Sequence, residues 1–165
     1  MVYHYTYETI ELGSVTFLEK DGALLAISTH SSLEGDEVET PVIKEAYRQL
    51  MEYLQGKRKI FDLSLRMEGT DFQVRVWKAL LDIPYGETRS YKQIAAAIGN
   101  RKAVRAVGMA NNRNPLLIVV PCHRVIGADG KLVGYAAGLD KKAFLLRYRQ
   151  SRKVAATLRR RSRRQ

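Results

Sequence analysis

Aromatic and β-branched residues crowd two early stretches, residues 3–10 and 14–20, and both are read as strands. Asp21-Gly22 is a hairpin signal that turns the chain into a third strand at about residues 23–29. Residues 31–39 hold four acids and a glycine and read as an exposed loop. The period then becomes helical. Thr40 is an N-cap, Pro41 takes the first helical position, and Val42/Ile43, Ala46/Tyr47, Leu50/Met51 and Leu54 form one apolar stripe. Gly56 stops this helix, and Ile60 to Leu65 suits a further strand.

Beyond residue 66 helical spacing dominates. Gly69-Thr70-Asp71 announces a helix with Phe72, Val76, Trp77 and Leu80 facing inward, broken by Pro84-Tyr85-Gly86. Ser90 caps a short helix from Tyr91 through Ile98, Gly99 ends it, and another runs from Lys102 to about Asn111. Two short helices across a glycine turn make a helix-turn-helix candidate. The apolar run Leu116-Leu117-Ile118-Val119-Val120 then reads as a buried strand, ending in Pro121-Cys122-His123-Arg124-Val125. Glycines follow at 127, 130, 134 and 138. The fold class is therefore α/β (α+β). A small N-terminal β-sheet unit with a helix (1–66) precedes a mostly helical unit (67–150) with a helix-turn-helix and a reactive-cysteine strand. A basic, disordered tail (151–165) completes the expected organisation.

Composition narrows the setting. No apolar run approaches the ~20 residues that span a bilayer, and the first residues lack the pattern of a signal peptide. The single cysteine cannot form an internal disulfide, which points to a reducing, cytoplasmic setting. His4 and His30 are separated and far from any cysteine, so no metal site is read. Charge is unevenly spread. Residues 1–64 carry six Lys/Arg against eleven Asp/Glu, and residues 65–165 carry twenty-two against six. That asymmetry is the footprint of a half that meets a polyanion, with a solvated basic surface as the plainer alternative. Beyond residue 150 the chain has no acid and ends in an arginine-rich run, able to add non-specific phosphate contacts.

Two local features carry chemistry. Ala103, Ala106 and Ala110 lie on one side of the second helix of that pair with Arg101, Lys102, Arg105 and Arg113 around them. Small side chains allow close backbone approach, either to another helix or to DNA; the charge split favours DNA. A lone cysteine is most often buried and inert. Beside Cys122, however, His123 can take the thiol proton and Arg124 adds positive charge, both of which favour a thiolate. Strand neighbours point to opposite faces, so a direct Cys–His contact requires the chain to bend after Pro121, or a bridging water.

The motif Pro121-Cys122-His123-Arg124-Val125, preceded by Asn114-Pro115 and followed by Gly134-Tyr135, resembles the O6-alkylguanine-DNA alkyltransferases, the methylated-DNA–protein-cysteine methyltransferases. The likeness extends through Gly69-Thr70-Asp71-Phe72-Gln73, Trp77, Ile83-Pro84-Tyr85-Gly86, Ser90-Tyr91 and Arg105-Ala106-Val107-Gly108, covering roughly residues 69 to 146. It implies a stoichiometric repair without a cofactor. An alkyl group on O6 of guanine, or on O4 of thymine, moves to a cysteine thiolate after the nucleotide is flipped out through the minor groove of double-stranded DNA. The resemblance makes Cys122 the acceptor, His123 its base through water, and Tyr91 the group that aids protonation of departing guanine. Asn114 braces the turn that presents Cys122. Arg105 fills the gap in the base stack, Ala103 and Ala106 enter the minor groove, and Lys102, Arg113 and Arg124 join them as DNA-binding cations. Val125, Tyr135 and Ala136 wall the pocket. A monomer that does not touch membranes is expected.

The likeness is incomplete. Family members carry a glutamate after the Leu-Leu pair of the last helix to orient the histidine; here Leu145-Leu146 leads to Arg149 at that position. Arginine cannot accept a hydrogen bond from imidazole. Ala136-Ala137 stands where a second glycine is common before Gly138, and an added methyl there narrows the pocket against bulky adducts. Two other readings therefore stay open: a non-catalytic protein that binds alkylated-DNA lesions, and a thiol hydrolase using Cys122 and His123.

Overall fold

The computed structural model describes residues 1–30 and 34–127. Strands β1 (Val2–Thr9), β2 (Gly13–Lys20) and β3 (Ala23–Ser28) form an antiparallel meander. The β2–β3 turn is Asp21-Gly22, both in the left-handed region at φ 51° and 85°, the geometry an Asp-Gly hairpin adopts. A two-residue strand β4 (Asp36–Glu37) adds to the outer edge, parallel to β1, giving the order β3-β2-β1-β4. The acidic stretch read as pure loop thus contributes a short edge strand, and its charge keeps that edge from recruiting another chain.

Helix α1 (Pro41–Leu54) covers the sheet. Thr40 caps it, accepting from the Ile43 amide at 3.1 Å and donating to the buried Glu19 carboxylate at 3.1 Å, so one hydroxyl ties the helix start to β2. Ile43, Ala46, Leu50, Tyr53 and Leu54 pack with Phe17, Leu24 and Ile27 of the sheet. The expected strand over 60–65 does not form. The Gln49 side chain takes both the amide and the carbonyl of Asp62, at 2.9 and 3.0 Å, leaving only an isolated bridge between Leu24 and Leu65. Backbone groups satisfied by a side chain need no ladder.

Helices α2 (Asp71–Leu81) and α3 (Tyr91–Ala97) each open with a reciprocal capping box, Thr70 with Gln73 and Ser90 with Gln93. Gly69 is required by contact as well as by the cap. A Cβ there would lie 2.6 Å from the Trp77 ring. Trp77 donates its indole N–H to the Ala110 carbonyl at 2.8 Å, locking α2 onto α4 (Val104–Asn112). α4 begins two residues later than its sequence pattern predicts. Ala103 offers no side-chain cap, and its amide instead closes a turn onto Asn100.

The largest departure lies at residues 116–120, where a buried strand was expected. The run is buried, yet it bends back on itself. Leu117 bridges Val120 around a tight turn, and Ile118 sits at φ 73°. A β-branched residue there costs about 1–2 kcal/mol. The turn is held from both sides. Pro115 and Leu117 exchange hydrogen bonds with Ile27 of β3, and the Asn114 amide spans the loop. Cys122–Arg124 then forms one 3-10 turn leading into β6 (Val125–Ile126), which pairs in parallel with β5 (Arg89–Ser90). The cysteine is therefore presented by a turn rather than by a strand end.

Candidate alkyl-acceptor site

A two-residue parallel ladder ties the start of α3 to the strand that follows the Cys122 turn: Arg89 pairs with Val125 and Ser90 with Ile126. Tyr91, the first residue of α3, lies within electrostatic reach of Cys122 and hydrogen-bonds Asn111, whose side-chain amide also holds the Cys122 carbonyl. Its phenol pKa is raised above the ordinary value of 10.0, first by burial and then by the negative charge that Cys122 can carry; an Asn111 hydrogen bond acts in the opposite direction. The ring also lies over Gly108 of α4, 3.8 Å from where a Cβ would stand.

Cys122 is 1% exposed and His123 is fully buried. A 3-10 turn advances about 120° per residue, so the two side chains are not forced to opposite faces as they would be along a strand. The Cys122 carbonyl accepts from the Asn111 side-chain amide at 3.3 Å. Asn114 donates to the Val120 carbonyl at 2.7 Å and to that of Leu116 at 3.3 Å, and accepts from the Leu116 amide at 2.9 Å. Val125 is buried directly after the turn. Tyr135, Ala136 and Arg149, like the tail 151–165, lie outside the described residues.

Helix α4 divides by exposure. Val107, Ala110 and Asn111 face the core. Arg105, Ala106, Met109, Asn112 and Arg113 are exposed, with Ala103 half-buried at the helix start and Lys102 exposed just before it. Ala110 does not share the outer face with Ala106 as the sequence pattern suggested, because its carbonyl side is taken by Trp77. Arg124 departs further from expectation. It is 7% exposed, donating to the Ile83 carbonyl at 2.6 Å and to the Tyr53 hydroxyl at 3.1 Å, so it is turned inward rather than toward DNA. Asn111 escaped sequence reasoning altogether. Its only signal was an amide at the core position of an otherwise apolar stripe.

Among the described residues no group of three or more His, Cys, Asp or Glu side chains could hold a metal ion, and no helix is long and apolar enough to cross a membrane.

Comparison with known proteins bears on this arrangement. Residues 1–67 match the ribonuclease-like domain, and residues 71–151 the DNA binding domain, of 6-O-methylguanine DNA methyltransferase. The constitutive methylated-DNA–protein-cysteine methyltransferase of Bacillus subtilis (strain 168) is 49% identical over 156 residues, spanning 88% of this chain and 94% of the relative. The chain belongs to the 6-O-methylguanine DNA methyltransferase family. Within this family, the enzyme of Methanosarcina barkeri is 64% identical over 108 residues, covering 66% of this chain and 68% of its own. The Mycobacterium tuberculosis OGT, crystallised in complex with DNA, superposes with a TM-score of 0.84 at 45% identity, covering 91% of this chain and 94% of that one.

Proposed function

We propose that this methyltransferase, a single-turnover DNA alkyltransferase by its family, uses Cys122 as the acceptor for the alkyl group on O6 of guanine, and on O4 of thymine, in double-stranded DNA. One observation supports the reading: Asn111 of α4 joins Tyr91 to the Cys122 carbonyl, next to an outer α4 face bearing Arg105, Ala106 and Arg113. A soft nucleophile and a hydroxyl that keeps its proton meet beside a basic helix.

The step balances as a displacement. His123 takes the thiol proton, Cys122 Sγ forms a bond to the alkyl carbon, and the bond from that carbon to O6 breaks. The departing guanine gains a proton with the help of Tyr91. Burial and the nearby thiolate keep Tyr91 protonated at neutral pH, as a donor must be. The target atom is inside the base stack, so the nucleotide is flipped out, with Ala103 and Ala106 allowing α4 into the minor groove and Arg105 filling the gap. Lys102 and Arg113 contact phosphates, and Val125, with Tyr135 and Ala136, walls the pocket. Asn114 braces the presenting turn. The chain is read as a scaffold over 1–66, a DNA-binding and acceptor unit over 67–150 and a phosphate-contacting tail over 151–165, acting as a cytoplasmic monomer.

A duplex carrying labelled O6-methylguanine tests the reading. Wild type is expected to take up at most one label per chain and Cys122→Ser none. Tight binding of the duplex by wild type without uptake would select the lesion-binding alternative, which rests on Arg149.

A further inference from the structure

Arg124 is a buried cation held by neutral groups. Besides the Ile83 carbonyl and the Tyr53 hydroxyl, its guanidinium carbon lies 5.8 Å from the Tyr85 ring centroid. Among the described residues no carboxylate forms an ion pair with it. Burying a charge without a counter-charge is costly, and an aliphatic residue would fill the same space. What the guanidinium supplies instead is a rigid fork of donors with fixed directions.

The two acceptors come from different parts of the chain. Tyr53 is on α1, 71 positions away in sequence, and Ile83 follows α2. Arg124 is the third residue of the single 3-10 turn that starts at Cys122. We propose that Tyr53 is a positioning residue for alkyl transfer: through Arg124 it fixes the acceptor turn against α1, with the Asn114 brace before the turn and the β5–β6 ladder after it as the other anchors. With a rise of about 2 Å per residue, a shift at Arg124 is felt at Cys122. Misplacement of a reacting group by about 1 Å can cost about a hundredfold in rate. The N-terminal helix is then part of the reaction geometry and more than a cover for the sheet. The inference rests on the acceptor role of Cys122 given above.

Tyr53→Phe removes the hydroxyl and keeps the ring, which packs 4.9 Å from Phe61 and edge-on to Tyr85 at 6.0 Å. The expected result is methyl transfer from duplex O6-methylguanine slowed about tenfold, with duplex affinity changed less than about twofold. Thr40→Ala, which weakens the start of the same helix without touching Arg124, should leave the rate within about twofold. Equal rates in wild type and Tyr53→Phe would overturn the proposal, as would an equal slowing in Thr40→Ala. Alkylation of Cys122 by iodoacetamide reads the turn without DNA. Release from α1 should expose the thiol and speed its modification in Tyr53→Phe, and an unchanged speed would overturn the proposal too. Absence of transfer in wild type would instead defeat the acceptor role, and the iodoacetamide arm would still decide whether Tyr53 holds the turn.

Discussion

The Asn114 side-chain amide donates to the Val120 carbonyl at 2.7 Å, and this contact closes the loop that delivers Cys122 two residues later. The same side chain accepts from the Leu116 amide, so a single asparagine satisfies backbone groups at both ends of a turn containing the left-handed Ile118. Asn114→Ala would leave the Leu116 amide without its acceptor in the core, while the Val120 carbonyl keeps the Cys122 amide. At about 1–3 kcal/mol for an unsatisfied buried group, a loss of about 2 kcal/mol in urea unfolding is expected, with slower transfer. Asn114→Asp keeps the acceptor for Leu116 but sets a carboxylate against the Val120 carbonyl. It should not restore either property.

Thr40→Ala removes the cap of α1 and a partner of buried Glu19. The helix cap alone is worth about 1 kcal/mol, so a drop of about 1–2 kcal/mol in denaturant stability is expected. No loss would mean that the Ile43 amide finds another acceptor.

Alkaline pH should destabilise the fold. Tyr91 is raised above 10.0 by burial and then by Cys122, and Tyr7 is raised well beyond it by burial and then by its hydrogen bond to Glu39. Groups whose folded pKa exceeds the unfolded value hold more protons when native, so their contribution is complete below pH 10.0 and is lost as pH climbs through the folded values. Thermal melts across pH 9 to 11 should show the loss, reduced in Tyr91→Phe and in Tyr7→Phe. The same direction implies that Tyr91 does not set the neutral-pH limb of the transfer rate.

The outward residues of α4 should govern salt dependence. Arg113→Ala, which removes one exposed cation, is expected to lower the slope of log affinity against log salt by about 0.9 on duplex DNA. An unchanged slope would place Arg113 off the DNA.

Much of this fold was legible because local signals carried it. Thr40-Pro41, Gly69-Thr70-Asp71, Ser90 and Asp21-Gly22 are short-range devices, and each acts where its pattern stands. Long-range competition hid the rest. Five consecutive apolar residues at 116–120 match a buried strand, but periodicity cannot register that Asn114 and Ile27 claim the backbone groups a ladder would use. Arg124 looked like one more cation of a basic half, since nothing local reveals a partner on α1. Asn111 likewise gains its meaning only when the start of α3 and the 3-10 turn bring Tyr91 and Cys122 to it.

The most direct test is the intact mass of the full chain after mixing with a short duplex containing O6-methylguanine, followed by peptide mapping. The account predicts one methyl in place of one hydrogen on every reacted chain, located on the peptide that holds Cys122, with unmodified guanine left in the DNA. A methyl on any other residue, or an unchanged mass in a chain that binds the duplex, would contradict it.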